Sequence, residues 1–208
     1  RCVFAANQKS LSDFSLRRSH GIDAGMKSAR SSFLVGFDTT SNVLAGKTYG
    51  IPITGTMAHS YVSSFQNEID SFRTYAKDNP NNTVLLIDTY DVAIGAQKAT
   101  IIGKEMESRG QKLKAVRIDS GNLESLSRNV RTILNKADLE YVQIIASGGL
   151  DEYQISDLVA KNCPIDGFGI GTRLGISEDM PSMDMVYKLV NYNNRNISHL
   201  VNQLFYQK

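Results

Sequence analysis

Histidine, arginine, aspartate, serine, threonine and glycine collect at the ends of short apolar runs: ITGTMAHS (53–60), VLLIDTYD (84–91), AVRIDSGN (115–122), VQIIASGG (142–149) and DGFGIGT (166–172). After the first run, Gly55 and Thr56 free backbone N–H groups and a hydroxyl to hold an anion, with His59 on the same turn. Alone, such a histidine is more often structural or solvated; a strand-end position favours chemistry. Arg117 and Asp119 alternate along a strand and so share a face, with Ser120 and Gly121 beside them. A guanidinium for anionic oxygens and a carboxylate for hydroxyls suit a sugar-phosphate; an ion pair inside a barrel is the competing reading. Gly148 and Gly149 end one run, and Gly171 and Thr172 end the next, where backbone must approach a ligand closely. In DFSLRRSHG (13–21), Phe14 stands near Arg17 and Arg18, either as a stacking platform for a flat anionic ring or as core beside solvated arginines.

Residues of these kinds need a frame that brings strand ends to one rim, and the intervening segments supply it. Val92, Ala96, Ala99, Ile102 and Met106 fall on one helical face, closed by Arg109 and Gly110. Leu123, Leu126, Val130, Ile133, Leu134 and Ala137 repeat the pattern, and Ile155, Leu158 and Val159 do so again behind an N-cap at Asp151. Solidly apolar strands point to burial on both faces, as in a parallel sheet. The first third is less regular. Residues 25–35 and 40–49 read as two helices, the second capped by Asp38 or Thr39, and 51–55 as a strand. The total is four or five βα units, an incomplete parallel α/β barrel whose carboxyl rim would hold the site.

Composition narrows the classes. The chain has 208 residues, a net charge of +2 and 21% charged residues, which argues against a nucleic-acid or membrane-surface partner. No apolar run approaches the roughly 18 residues of a membrane span. Cys2 and Cys163 lack metal-ligand spacing and fit a reduced, cytoplasmic setting, and no metal-ligating cluster is read. The sequons at Asn81 and Asn196 are read as chance, and Met180, Met183 and Met185 as packing. The chain starts at Arg1 and closes in an Asn-rich stretch, 191–196, and is read as a piece of a longer enzyme. Residues 1–190 would form the partial barrel and 191–208 a divergent tail.

Taken in order, DFSLRRSHG, GFDTTSNVLAG (36–46), GTMAHS, LLIDTYD, VRIDSGN, ASGGLDE (146–152) and DGFGIGT resemble the nicotinate phosphoribosyltransferases, of the type II phosphoribosyltransferase family. The resemblance implies transfer of phosphoribose from phosphoribosyl pyrophosphate to nicotinate in NAD biosynthesis, with ATP as co-substrate, magnesium, and a homodimer in the full-length protein. It makes His59 a transient phosphohistidine. Thr56 and Arg117 would hold nicotinate, with Arg117 on its carboxylate, and Phe14 and Arg17 would take ring-stacking and phosphate-side places. Asp119 would contact ribose hydroxyls, and Thr172, helped by the Gly171 backbone, the phosphoribosyl substrate. Ser120, Gly121, Gly148 and Gly149 complete the expected substrate rim.

Two positions depart from the family pattern, which has Gly at Ser15 and Asp at Asn122. The family's N-terminal portion, which lends an aromatic across a dimer interface, and its continuation after about residue 190 are not recognised here. Three alternatives stand beside this reading. One is a nicotinamide-specific relative, with Asp38 reading the amide. Another is an aldolase-like lyase, which would want a strand-end lysine that these runs lack. The last is a non-catalytic barrel fragment that binds only ligand or a partner subunit.

Overall fold

In the computed structural model the described residues are 1–176 and 190–196. They contain six short strands in one parallel sheet: β1 (Ser10–Asp13), β2 (Thr39–Thr40), β3 (Val84–Leu86), β4 (Ala115–Ile118), β5 (Gln143–Ala146) and β6 (Gly167–Ile170). Their order across the sheet is β2-β1-β6-β5-β4-β3, so the first strand lies between the second and the sixth. This is an incomplete parallel α/β barrel. Leu11, Leu85, Ile87, Val116, Ile118, Ile144, Phe168 and Ile170 are buried in one core with helix residues such as Ala96, Ile102, Val130, Leu134 and Ile155.

The regular part follows the sequence pattern. Helix α6 (Val92–Glu107), α7 (Leu123–Lys136) and α8 (Glu152–Ala160) each follow a strand closely and each begin at an Asx cap. Asp91 accepts from Ile94 N, Asn122 from Ser125 N, and Asp151 forms a capping box with Gln154. Asn122 therefore has a structural task that an aspartate would perform equally well. Gly110, at φ +72°, closes the end of α6, with Gln111 N donating to Met106 O.

The first third departs from the expectations. Helix α1 (Cys2–Ala6) precedes β1, and α2 spans Ile22–Leu34. Strands β1 and β2 did not stand out in the sequence because they are four and two residues long and mostly polar. Helix α3 is Val43–Tyr49, and its cap is Asn42, whose side chain accepts from Ala45 N; Asp38 and Thr39 lie upstream, on the sheet side. The 51–55 segment is not a full strand: Ile53 makes a single parallel bridge to Thr40. The chain then enters α4 (His59–Ser64) and α5 (Glu68–Asp78). Six strands plus this bridge exceed the four or five units read from periodicity.

The Asn-rich stretch is a small antiparallel hairpin, β7 (Asn191–Tyr192) and β8 (Arg195–Asn196). Asn193 and Asn194 turn it with φ of 49° and 58°, the left-handed pair of a type I′ turn, which asparagine tolerates. The Nη2 of Arg195 donates to Ser63 O and Phe65 O, both at 2.8 Å, which fastens the hairpin to the end of α4. Met180, Met183 and Met185 lie outside the described residues. Among the described residues no helix is long and apolar enough to cross a membrane.

Candidate active site

Strand ends β1, β3, β4, β5 and β6 open on one rim, and side chains there meet across the gap in the sheet. His59, the first residue of α4, comes from the β2 side. Its Nδ1 lies 3.1 Å from the buried Thr89 hydroxyl, beyond the end of β3. Its Nε2 lies 3.9 Å from Asp88 Oδ1 and 3.8 Å from Asp119 Oδ2. Two carboxylates around Nε2 favour a proton there, which leaves the Nδ1 lone pair facing Thr89. His59 is 23% exposed, open enough to be reached by a phosphate-bearing substrate.

Asp88 is the anchor beneath. Its side chain is 1% exposed, and Oδ2 accepts from Asp119 N at 2.9 Å and from the Ser120 hydroxyl at 2.6 Å. Its Oδ1 has no hydrogen-bond partner and is directed at His59. The Ser120 hydroxyl is thus spent on holding the end of β3 to the end of β4. Asp119 also accepts from the Ser147 hydroxyl and lies 3.7 Å from Arg117 Nη2. Burial pushes the Asp119 carboxyl up, but the His59 imidazole 3.8 Å away, the Arg117 charge and the Ser147 hydroxyl outweigh it and hold the group below the usual carboxylate range.

Arg117 projects from β4 into the mouth and is 13% exposed. Nη1 donates to Thr56 Oγ1, whose own hydroxyl donates to Met57 O. The guanidinium carbon stands 5.9 Å from the centre of the Phe14 ring. Nε is buried with no hydrogen-bond partner. Phe14 follows β1, where buried Asp13 accepts from Ser15 N at 2.9 Å and from the Thr40 hydroxyl at 2.8 Å, tying the β1 and β2 ends together. The ring fits because Gly169 lies beneath it: a Cβ there would stand 2.3 Å from a ring carbon.

Of the residues expected from sequence, His59, Asp119, Arg117, Thr56, Phe14 and Ser120 form this connected group. Gly148, at φ +96°, lies so close to the Asp119 carbonyl that a Cβ would fall 1.8 Å from its oxygen. Gly149 and Gly121 follow their strands with φ of 70° and 81°. Gly171 rests against the Phe14 carbonyl, and Thr172 opens the short helix α9 (Thr172–Gly175). Arg17 is exposed on a 3₁₀ turn (Leu16–Arg18) and takes no part in the group; the cation at Phe14 is Arg117. Asp38 does not face the rim. It pairs with Leu11 on the amino-terminal side of the sheet, accepting from Leu11 N at 2.8 Å, and lines a separate cavity there with Lys9 and Gly36. Ser15 is buried, its hydroxyl 3.1 Å from that of Ser28.

Asp88, Thr89, Ser147 and Asp13 were not singled out as site residues in the sequence. The signal was available in two of the strand-end runs: LLIDTYD and VRIDSGN both place Asp one step beyond an apolar strand. Among the described residues no group of three or more His, Cys, Asp or Glu side chains is gathered as a metal cage. Magnesium needs none, since it keeps its waters and binds through one or two carboxylates together with substrate phosphates. Asp119, a third exposed at the mouth, is a carboxylate suited to that part.

Comparison with known proteins identifies the family. The profile of the nicotinate phosphoribosyltransferase (NAPRTase) family matches residues 9–202. A nicotinate phosphoribosyltransferase of Mycobacterium tuberculosis is 48% identical over 192 residues, covering 92% of this chain and 41% of its own length. One from Bacillus subtilis is 40% identical over 179 residues, 86% of this chain and 36% of its own. The crystal structure of human nicotinic acid phosphoribosyltransferase superposes with a TM-score of 0.75 at 26% identity, covering 88% of this chain and 49% of that one. The chain thus spans about two fifths of the length of these curated relatives and about half of the human structure.

Proposed function

We propose that this chain, which belongs to the nicotinate phosphoribosyltransferase family, carries the strand-end chemistry for joining nicotinate to phosphoribosyl pyrophosphate, coupled to ATP hydrolysis through His59. The nicotinate ring nitrogen bonds to the anomeric carbon of ribose as the bond from that carbon to pyrophosphate breaks, giving nicotinate mononucleotide and pyrophosphate. The observation that carries the reading is Arg117: a guanidinium held by Thr56 and Asp119 beside the Phe14 ring. A ring bearing a carboxylate would stack on Phe14 and accept from Arg117.

Position supports the remaining roles. Asp119, ionised, faces ribose hydroxyls, and its charge suits the cationic character that develops at the anomeric carbon. Gly171 and Thr172 offer backbone and hydroxyl to the phosphoribosyl group. In the coupled half-reaction the Nδ1 lone pair of His59 takes the γ-phosphoryl group of ATP as ADP leaves, and water later releases phosphate from the histidine. Thr89 must yield its hydrogen bond in that step, while Asp88 and Asp119 keep the proton on Nε2. Magnesium, held by the substrate phosphates and Asp119, would neutralise the departing pyrophosphate.

The test is formation of nicotinate mononucleotide from labelled nicotinate and phosphoribosyl pyrophosphate, with magnesium, with and without ATP. ATP-stimulated product, lost to competition by nicotinate analogues and untouched by nicotinamide, supports the reading. Preference for the amide reverses the substrate, and a folded chain that only binds ligand leaves it non-catalytic.

A further inference from the structure

The helix that presents His59 is too short to hold itself. Helix α4 has six residues, and its cap residue Ala58 offers no side-chain hydrogen bond. Such a segment has barely repaid the cost of its first turn, so its placement depends on what holds it from outside. Within the helix Val62 and Ser63 are buried, and Tyr61 packs on the core and edge-on to Tyr75. At its C-terminal end stands Arg195, whose Nη2 donates to Ser63 O and Phe65 O at 2.8 Å each, taking the terminal carbonyls with a cation where the helix dipole favours one. Arg195 itself stands on β8, after the Asn193–Asn194 turn, 136 positions from His59 in the chain.

We propose that Arg195 is a positioning residue for His59, acting along α4. With the C-terminal carbonyls clamped, the helix cannot rock about Val62, and the imidazole is kept with Nδ1 on Thr89 and Nε2 between Asp88 and Asp119. Without the clamp, Ser63 O and Phe65 O turn to water and the imidazole loses its register on Thr89. His59's chemical role rests on the function proposed above, whereas its placement by Arg195 does not. The hairpin also joins the segment beyond the barrel strands to the reacting histidine, so a change there is felt at the rim.

Two readouts on the full chain keep the claims apart. The chain has three histidines, so imidazole ¹⁵N spectra are simple, and His59 is assigned by its loss in His59→Gln. In Arg195→Ala the His59 Nδ1 resonance should move to the value of exposed His20, while Arg195→Lys, whose ammonium can serve both carbonyls, should restore most of the difference. Arg128→Ala removes a similar guanidinium–carbonyl bond, to Lys161 O, away from the site and should leave His59 unmoved. In the coupled assay, Arg195→Ala should lower kcat about tenfold with nicotinate KM little changed, the pattern of a misplaced reacting group. Should Arg195→Ala fail to fold, Arg195→Met, which keeps an unbranched stem but has no donor, carries the same comparison. An unmoved His59 resonance in a folded Arg195→Ala or Arg195→Met chain overturns the proposal. A moved resonance in a chain that makes no product leaves Arg195's role standing and removes the proposed function instead.

Discussion

The Nδ1 atom of His59 lies 3.1 Å from the hydroxyl of Thr89, on the far side of the gap in the sheet. Thirty residues separate the two in sequence, and the Asp88 and Asp119 carboxylates on the opposite side of the ring favour the proton on Nε2. Phosphate transferred from ATP should therefore be found on Nδ1, and ³¹P–¹⁵N correlation in labelled protein would show it. Phosphate on Nε2 instead would mean that the imidazole turns over during the reaction. His59→Ala should abolish ATP stimulation and leave slow uncoupled transfer.

Arg117→Ala should raise the KM for nicotinate roughly thirtyfold, equivalent to about 2 kcal/mol for a hydrogen bond to a charged group. Arg117→Lys should recover little of it, because an ammonium cannot span Thr56, Asp119 and a planar carboxylate together. Initial-rate kinetics with nicotinate varied would test both, and an unchanged KM removes the role assigned to Arg117.

Two carboxylates should pull the acid stability curve in opposite directions. Asp119 is held below its ordinary pKa, so its contribution is present above the pH where an unfolded aspartate titrates and is lost as pH falls through the lower folded value. Glu68 is raised, because burial outweighs its bond to Lys98. It disfavours the fold at neutral pH, and that penalty fades as pH falls through its raised pKa. Urea unfolding between pH 3 and 7 should accordingly flatten on the acid side in Asp119→Asn and show less loss with rising pH in Glu68→Gln.

Gly148→Ala should be among the most damaging small changes in the chain. Its φ of +96° and the 1.8 Å approach to the Asp119 oxygen force the β4 and β5 ends apart, at a cost of about 3 kcal/mol or more. Gly149→Ala meets nothing within 4 Å and carries only the cost of its φ of +70°, about 1 kcal/mol. Thermal melts of the pair would separate close approach from backbone strain.

Asn122→Asp should change stability by less than about 0.5 kcal/mol, since either side chain accepts from Ser125 N. Any change in pyrophosphate-dependent rate is then the effect of the carboxylate itself, read directly from steady-state assays.

From β3 onward the sequence carried the architecture. Solid apolar strands, the cap at Asp151 and helical faces such as Val92–Met106 are local matters of burial and hydrogen bonding, so they can be read in order; Asp91 and Asn122 were not read as caps, and the structure gives them that part. Arg117 and Asp119 were legible for the same reason, since two residues apart on a strand means one face. Strands β1 and β2 escaped because SLSD and TT bury little apolar surface of their own and gain their partners from β6 and from one another.

Tertiary structure alone decided who meets whom across the rim. That Asp88 sits beneath Asp119 and faces His59, that Arg117 rather than Arg17 attends Phe14, and that Asp38 lies away from the rim all follow from strand order. Arg195 reaches the helix of His59 by the same kind of long-range closure. Periodicity along a chain encodes which face a residue takes; pairing between distant strands sets which faces share a mouth, and that depends on the packing of the whole core.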